Sequence, residues 1–187
     1  MTRTRYYTAT TLDGFIADPD NSLDWLFAVD NDGATDTDFQ RFFGTVGALC
    51  MGATTYEWVR EHQDEANWAE AYGDTPAWVF THRDLPAIPG ANLRFVAGAV
   101  EPVHRDMAAA AGAERDIWVV GGGELAGAFA DAGLLDELIV SVAPATLGAG
   151  APLLPRRIMP DRLKLTEVER IGQFAQLTYS LTGSASD

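Results

Sequence analysis

Trp118-Val119-Val120-Gly121-Gly122-Gly123-Glu124-Leu125 runs from an apolar strand through three consecutive glycines into the start of a helix. A backbone without Cβ atoms can approach a pyrophosphate closely, and the free amides of a helix's first turn donate to its oxygens. The stretch therefore fits a nucleotide cofactor, and it fits equally a tight strand-to-helix turn that holds no ligand. Gly121, Gly123 and Ala126 also satisfy G-x-G-x-x-A. The Rossmann fingerprint is nevertheless rejected, because that motif opens the first βα unit and carries an acidic residue about twenty residues further on. Here the site lies late in the chain and the next strand leads into Ala143-Pro144-Ala145-Thr146.

A second junction of the same kind lies upstream. The apolar run Val46-Gly47-Ala48-Leu49-Cys50-Met51 passes through Gly52-Ala53-Thr54-Thr55-Tyr56-Glu57 into a helix expected over residues 55–62, with Thr54 and Glu57 spaced as a capping box. Two such junctions can grip one cofactor from both sides. Around them the pattern predicts a strand at 5–11, a long acidic loop, a short helix at 36–43, the strand 46–51, then a polar loop and strands at 77–81 and 93–96. Val103, Met107 and Ala111 form the apolar stripe of a helix that Gly112 ends. A strand at 117–120, a helix at 124–132 and a strand at 138–142 complete a run of βα units, which implies a largely parallel sheet covered on both faces. Two extended segments, 163–170 and 174–181, flank Gly172 and predict an antiparallel hairpin closing the sheet, and residues 183–187 read as a frayed tail.

The chain has 187 residues, 47% of them hydrophobic and 21% charged, which suits one domain spanning 1–187. Arg3 and Arg5 precede Tyr6-Tyr7-Thr8-Ala9-Thr10-Thr11, a stretch without the apolar run of a signal peptide or membrane span, so a cytoplasmic protein is expected. A net charge of −14 argues against nucleic acid and anionic membrane as partners, since both require a basic face. Asp13, Asp18, Asp20, Asp24, Asp30, Asp32, Asp36 and Asp38 crowd the first part of the chain, where loop and cap positions are expected for most of them. Cys50, the single cysteine, sits in an apolar run; a disulfide framework and a cysteine-based metal site are excluded, no metal site is expected, and Cys50 reads as core.

Four stretches in this order resemble the dihydrofolate reductase superfamily, and more closely its branch containing the RibD C-terminal reductase domain of riboflavin synthesis. They are Ala9-Thr10-Thr11-Leu12-Asp13-Gly14-Phe15-Ile16-Ala17, Met51 to Glu57, the strand from Ala77 to Thr81, and Val120 to Leu125 followed by Asp136-Glu137-Leu138-Ile139-Val140. The resemblance covers nearly the whole chain and implies a dihydrofolate reductase-like three-layer α/β/α fold. It also implies a reductase in which a nicotinamide lies across the C-terminal ends of the strands and passes hydride to a C=N or C=O group of a heterocycle or sugar. Ala9, Ile16 and Ala17 match residues lining the nicotinamide, Gly52, Thr54 and Thr55 the first phosphate-binding turn, and Gly121, Gly122, Gly123 and Leu125 the second. Thr81 and Arg83 fall where the family meets the adenosine 2′-phosphate, which favours NADPH over NADH. Two positions depart from the family: Ala53 and Glu124 stand where classical members often carry other residues.

On the substrate side, Asp38 with Phe42 one turn later presents an acid and an aromatic on one helix face, suited to a stacked polar heterocycle, with Asp36 as its competitor. Trp25 can cover a substrate or anchor the loop that carries it, while Trp58, Trp68, Trp78 and Trp118 read as packing and His62, His82 and His104 as surface residues. The segment 144–155 is expected to edge the pocket without supplying an ionisable group. The expected function is NADPH-dependent reduction of the RibD C-terminal type, whose reference reaction acts on 5-amino-6-(5-phosphoribosylamino)uracil. Alternatives are reduction of dihydrofolate, another pterin or a small carbonyl compound, and a non-catalytic nucleotide-binding protein. No zinc-deaminase signature precedes the domain, no basic cluster for a ribose phosphate is evident, and a homodimer is implied.

Overall fold

The computed structural model describes residues 2–30, 33–62 and 65–182. Its central sheet has the strand order β5-β4-β3-β6-β1-β7-β10-β9. These strands are β1 (Thr4–Thr11), β3 (Val46–Gly52), β4 (Ala77–Phe80), β5 (Leu93–Val96), β6 (Asp116–Gly121), β7 (Glu137–Ala143), β9 (Leu163–Ile171) and β10 (Phe174–Leu181). From β5 to β7 all neighbours are parallel; β10 runs antiparallel to β7, and β9 to β10. The pattern follows from connection length, since helical crossovers return the chain in parallel while the tight turn at Gly172, with φ 59°, reverses it.

Helices cover both faces. On one, α5 (Val100–Ala111) and α6 (Gly123–Asp131) pack Val103, Met107 and Phe129 onto Tyr6, Ile117 and Val119. On the other, α2 (Ala34–Phe43), α3 (Ala53–His62) and α4 (Glu65–Tyr72) pack Phe42, Tyr56, Val59, Trp68 and Tyr72 onto Leu49, Met51, Val79 and Trp118. Cys50 is completely buried in the first of these cores, and burial pushes its thiol up, so it is a packing residue. No helix among the described residues is long and apolar enough to cross a membrane.

Several local expectations are corrected. The segment after α3, expected to be a polar loop, contains α4: Trp68 and Tyr72 stand four apart on one buried face, and Gly73 at φ 54° ends the helix. α3 begins at Ala53, so Thr54 lies inside it; the Glu57 carboxylate pairs with Arg83 and the expected capping box does not form. α2 begins at Ala34, after Gly33 in a left-handed conformation with φ 74°. A two-stranded sheet of β2 (Phe15–Ala17) and β8 (Ala151–Pro152) and the short α1 (Asp24–Phe27) had no sequence periodicity to reveal them. Asp32 and the tail 183–187 lie outside the described residues.

Candidate active site

Parallel strands point their C-terminal ends, and the N-termini of the helices that follow, toward one edge of the sheet. At that edge the ends of β1, β3 and β6 open on a cleft of about 440 Å³. α3 starts directly after Gly52, and α6 directly after Gly121 and Gly122, so both predicted junctions face the same space. No side chain caps α6, and its helical ladder begins only with the Ala126 amide on the Gly122 carbonyl at 3.1 Å. The amides of Gly123, Glu124 and Leu125 are left for an acceptor outside the helix.

The three glycines are required for different reasons. A Cβ on Gly123 would collide with the Pro152 carbonyl oxygen and stand 2.5 Å from that of Leu153, so this residue lets the chain around β8 close over α6. On Gly121 it would stand 3.1 Å from Thr55 Oγ1, in the contact between the two junctions. Gly122 differs. Its φ of −93° and ψ of −176° suit any residue, and the nearest atom to a Cβ would be Ile16 Cδ1 at 3.9 Å. The space its side chain would fill belongs to the cleft. The Gly121–Gly122 peptide is cis.

Ile16 and Ala17 reach the cleft because β2 is clamped from outside. Phe15 and Ala17 pair with Pro152 and Ala151, and the Asp13 carboxylate accepts from the amides of Leu147 at 3.1 Å and Gly148 at 2.7 Å. The Thr11 hydroxyl, followed by the Gly148 amide, holds the Asp13 carboxyl below its usual range. Asp13, one of the early acids for most of which loop and cap positions are expected, is thus the tie that brings the 144–155 segment to the cleft rim, where Ala151 and Pro152 line it.

Of the predicted cofactor residues, Ile16, Ala17, Gly52, Thr54, Thr55, Gly121, Gly122, Gly123 and Leu125 all line this cleft. Ala9 does not; its strand neighbour Thr8 does. Among the described lining residues Glu124 is the one charged side chain, and it is turned to Arg156 at 2.8 Å, with Asp131 holding the same guanidinium at 2.7 Å. An anionic ligand here would be met by backbone amides and helix dipoles. Thr81 and Arg83 stand outside the lining, just past β4, where the Arg83 amide donates to Thr81 Oγ1 at 2.9 Å and the Arg83 guanidinium forks onto Glu57 at 2.9 and 2.7 Å.

The substrate candidates are placed differently from expectation. Asp38 and Phe42 line a separate polar hollow of about 310 Å³ over β1 and β7. Asp38 is buried and already accepts from the Tyr7 hydroxyl at 2.8 Å and from Arg41 at 2.6 Å. The Phe42 ring stacks on Tyr7 at 4.4 Å with the Arg5 guanidinium 4.9 Å away, which leaves no free face for a heterocycle. Arg3, Arg5 and Arg41 all line the hollow, a basic grouping that sequence spacing hid, but each is paired with Asp116, Glu137, Asp38 or Glu169. Trp25, on α1, is not in the cleft lining; Asn21 and Leu23 from the same loop are. His104, expected at the surface, is half-buried with Nε2 2.9 Å from Thr4 Oγ1, and burial lowers its pKa against the opposing pull of Asp136.

Sequence reasoning also missed Trp58, Val59 and Tyr72, which form an apolar wall one turn and more beyond the phosphate-type junction of α3. Trp58 and Val59 fall three and four residues after Thr55, a helical spacing that could have identified them. Tyr72 comes from α4, for which the tertiary fold alone decides the approach.

Residues 71–177 match the model of the RibD C-terminal domain family. The uncharacterized protein YwjB of Bacillus subtilis (strain 168) is 30% identical over 177 residues, covering 95% of this chain and 97% of that protein. A crystal structure of a Shewanella sp. PV-4 protein assigned to riboflavin biosynthesis superposes with a TM-score of 0.80 at 26% identity, covering 97% of this chain and all of that one. Dihydrofolate reductase from Enterococcus faecalis, solved in complex with NADP(H), shares the fold with a TM-score of 0.62 at 16% identity, each chain covered to 97%. With its glycine junctions, its sheet order and these likenesses, the chain belongs to the RibD C-terminal domain family, on a dihydrofolate reductase-like fold.

Proposed function

We propose that this protein is a cytoplasmic NADPH-dependent reductase of the RibD C-terminal type that acts on a small heterocycle, with 5-amino-6-(5-phosphoribosylamino)uracil as the reference substrate. The observation that carries the proposal is the open space at Gly122 between two helix N-termini, a cradle that a single Cβ would begin to fill. The amides opening α6 and the first turn of α3 hold the pyrophosphate, and Ile16 and Ala17 face the nicotinamide end. Bound NADPH supplies the hydride. What remains for the chain is alignment and exclusion of water, which an apolar wall at Trp58 and Val59 provides.

NADPH rather than NADH is supported by Arg83, whose side chain is 56% exposed at the end of β4 and pairs with Glu57. An exposed ion pair of this kind contributes about 0–1 kcal/mol, so a doubly charged 2′-phosphate can compete for the guanidinium. A second substrate class, dihydrofolate, other pterins or small carbonyl compounds, is favoured by one observation: among the described lining residues no cation faces the cleft to meet a substrate phosphate.

The test is titration of the purified protein with NADPH and NADH, followed by NADPH oxidation with a pyrimidine, pterin and carbonyl panel. Micromolar binding that favours NADPH, with oxidation driven by one panel member, is expected. Binding of neither dinucleotide would make the protein a non-catalytic member of its family.

A further inference from the structure

Four tyrosines of this chain have buried rings or hydroxyls with a place in the fold, and three of them are accounted for. Tyr6 donates to the Leu153 carbonyl at 3.1 Å, Tyr7 to Asp38 at 2.8 Å and Tyr56 to the Pro86 carbonyl at 2.8 Å. Tyr72 is the exception. Its residue is 7% exposed, it lines the cleft, and its hydroxyl has no hydrogen-bond partner among the described residues. Among the described residues the buried polar side-chain atoms without a partner are Trp25 Nε1 and Trp68 Nε1, so the Tyr72 oxygen is not sealed in the core and opens on the cleft that its residue lines. The other polar side chains of the lining, Thr8, Asn21, Thr54, Thr55 and Glu124, are all more exposed.

We infer that the Tyr72 hydroxyl is the hydrogen-bond and proton donor to the heteroatom of the group that this enzyme reduces. The inference rests on the reductase reading above. Tyr72 stands in the wall with Trp58 and Val59, beyond the first turn of α3 that holds phosphate in that reading, and so on the side left for substrate. Its ring is fixed by Trp68 at 4.6 Å and by Phe43 and Trp118 at 6.2 Å each, so the oxygen is held in place before a substrate arrives. Burial pushes the hydroxyl pKa up to about 12, which keeps the proton on it at neutral pH.

The hydride adds to the carbon of a C=O or C=N group, and the π pair of that bond becomes a lone pair on oxygen or nitrogen. That atom takes the Tyr72 proton, and water at the cleft mouth restores the hydroxyl. Electrons come from NADPH alone.

The experiment compares wild type with Tyr72→Phe in three measurements: thermal unfolding, NADPH affinity, and NADPH oxidation with dihydrofolate, 5-amino-6-(5-phosphoribosylamino)uracil and methylglyoxal. Expected are an unchanged unfolding temperature, an NADPH dissociation constant within about twofold of wild type, and kcat/KM for the reduced compound lowered by about 100-fold or more, the usual reach of a positioned proton donor. Wild-type turnover by Tyr72→Phe overturns the inference and leaves the reductase reading standing. A lowered unfolding temperature overturns it too, because the hydroxyl then has a partner within the fold. Failure of the wild type to bind NADPH or to reduce any of the three overturns the reductase reading itself, and the inference with it.

Discussion

Gly122→Val separates a glycine kept for a ligand from one kept for the fold. The backbone at Gly122 is extended, with φ −93° and ψ −176°, dihedrals that a branched side chain also adopts. Its Cβ would have a single neighbour within 4 Å, Ile16 Cδ1 at 3.9 Å, and folding stability should move by less than about 1 kcal/mol. In the proposed binding mode, however, the two γ-methyls would take space that a pyrophosphate needs to reach the amides of Gly123, Glu124 and Leu125. Losing two charge-assisted hydrogen bonds at about 1.5–3 kcal/mol each amounts to about 3–6 kcal/mol, or roughly 150- to 20,000-fold in affinity. Fluorescence titration with NADPH, beside thermal unfolding, measures both quantities. Gly123→Ala is the contrast, since its Cβ would stand 2.5 Å from the Leu153 carbonyl oxygen, and it should lower the unfolding temperature. A folded Gly122→Val protein that binds NADPH within threefold of wild type, a bound of about 0.7 kcal/mol, would refute the cradle.

Arg83→Ala should weaken NADPH more than NADH, and Glu57→Gln, by freeing the guanidinium that it now holds at 2.7 Å, should do the opposite; equal effects on the two dinucleotides would remove Arg83 from the 2′-phosphate. Asp38→Asn should leave the NADPH dissociation constant unchanged while costing about 1–3 kcal/mol of stability, because a buried acceptor of the Tyr7 hydroxyl and Arg41 loses its charge. Reduced turnover at a wild-type unfolding temperature would instead return Asp38 to the substrate. His104 is held below the ordinary histidine value of 6.5 in the fold, so the unfolded chain takes up its proton first as pH falls through 6.5, and stability declines there until the folded pKa is passed. His104→Gln should flatten that part of the stability profile, and an unaltered slope would show that other groups set it. The chain is expected to be a homodimer joined through β9, where Val168 is 62% and Leu165 48% exposed; Val168→Lys should then sediment as a monomer, and a monomeric wild type at micromolar concentration would end that expectation.

The sequence alone determined the alternation of strands and helices, the closing hairpin and both glycine junctions, because each is a local matter. Period-2 and period-3.6 patterns, a Gly172 turn and a missing Cβ are written within a few residues of where they act. For the same reason nine of the twelve predicted cofactor positions line one cleft. What the tertiary structure decided is which partners meet. Asp13 ties the first turn to Leu147 and Gly148, more than 130 residues on, and the β2–β8 pair that it supports is too short to carry any periodicity. Asp38 and Phe42 have the helical spacing of a substrate platform, yet Tyr7 and Arg41 occupy them, since a strand residue cannot be seen from a helix pattern. Glu57 has capping-box spacing but lies across from Arg83, and a fork between charged side chains outcompetes a local backbone contact. Tyr72 reaches the cleft only because α4 folds back over β3 and β6. Local chemistry fixes what each segment is, and long-range packing fixes whose hydroxyl, carboxylate or guanidinium is left over for a ligand.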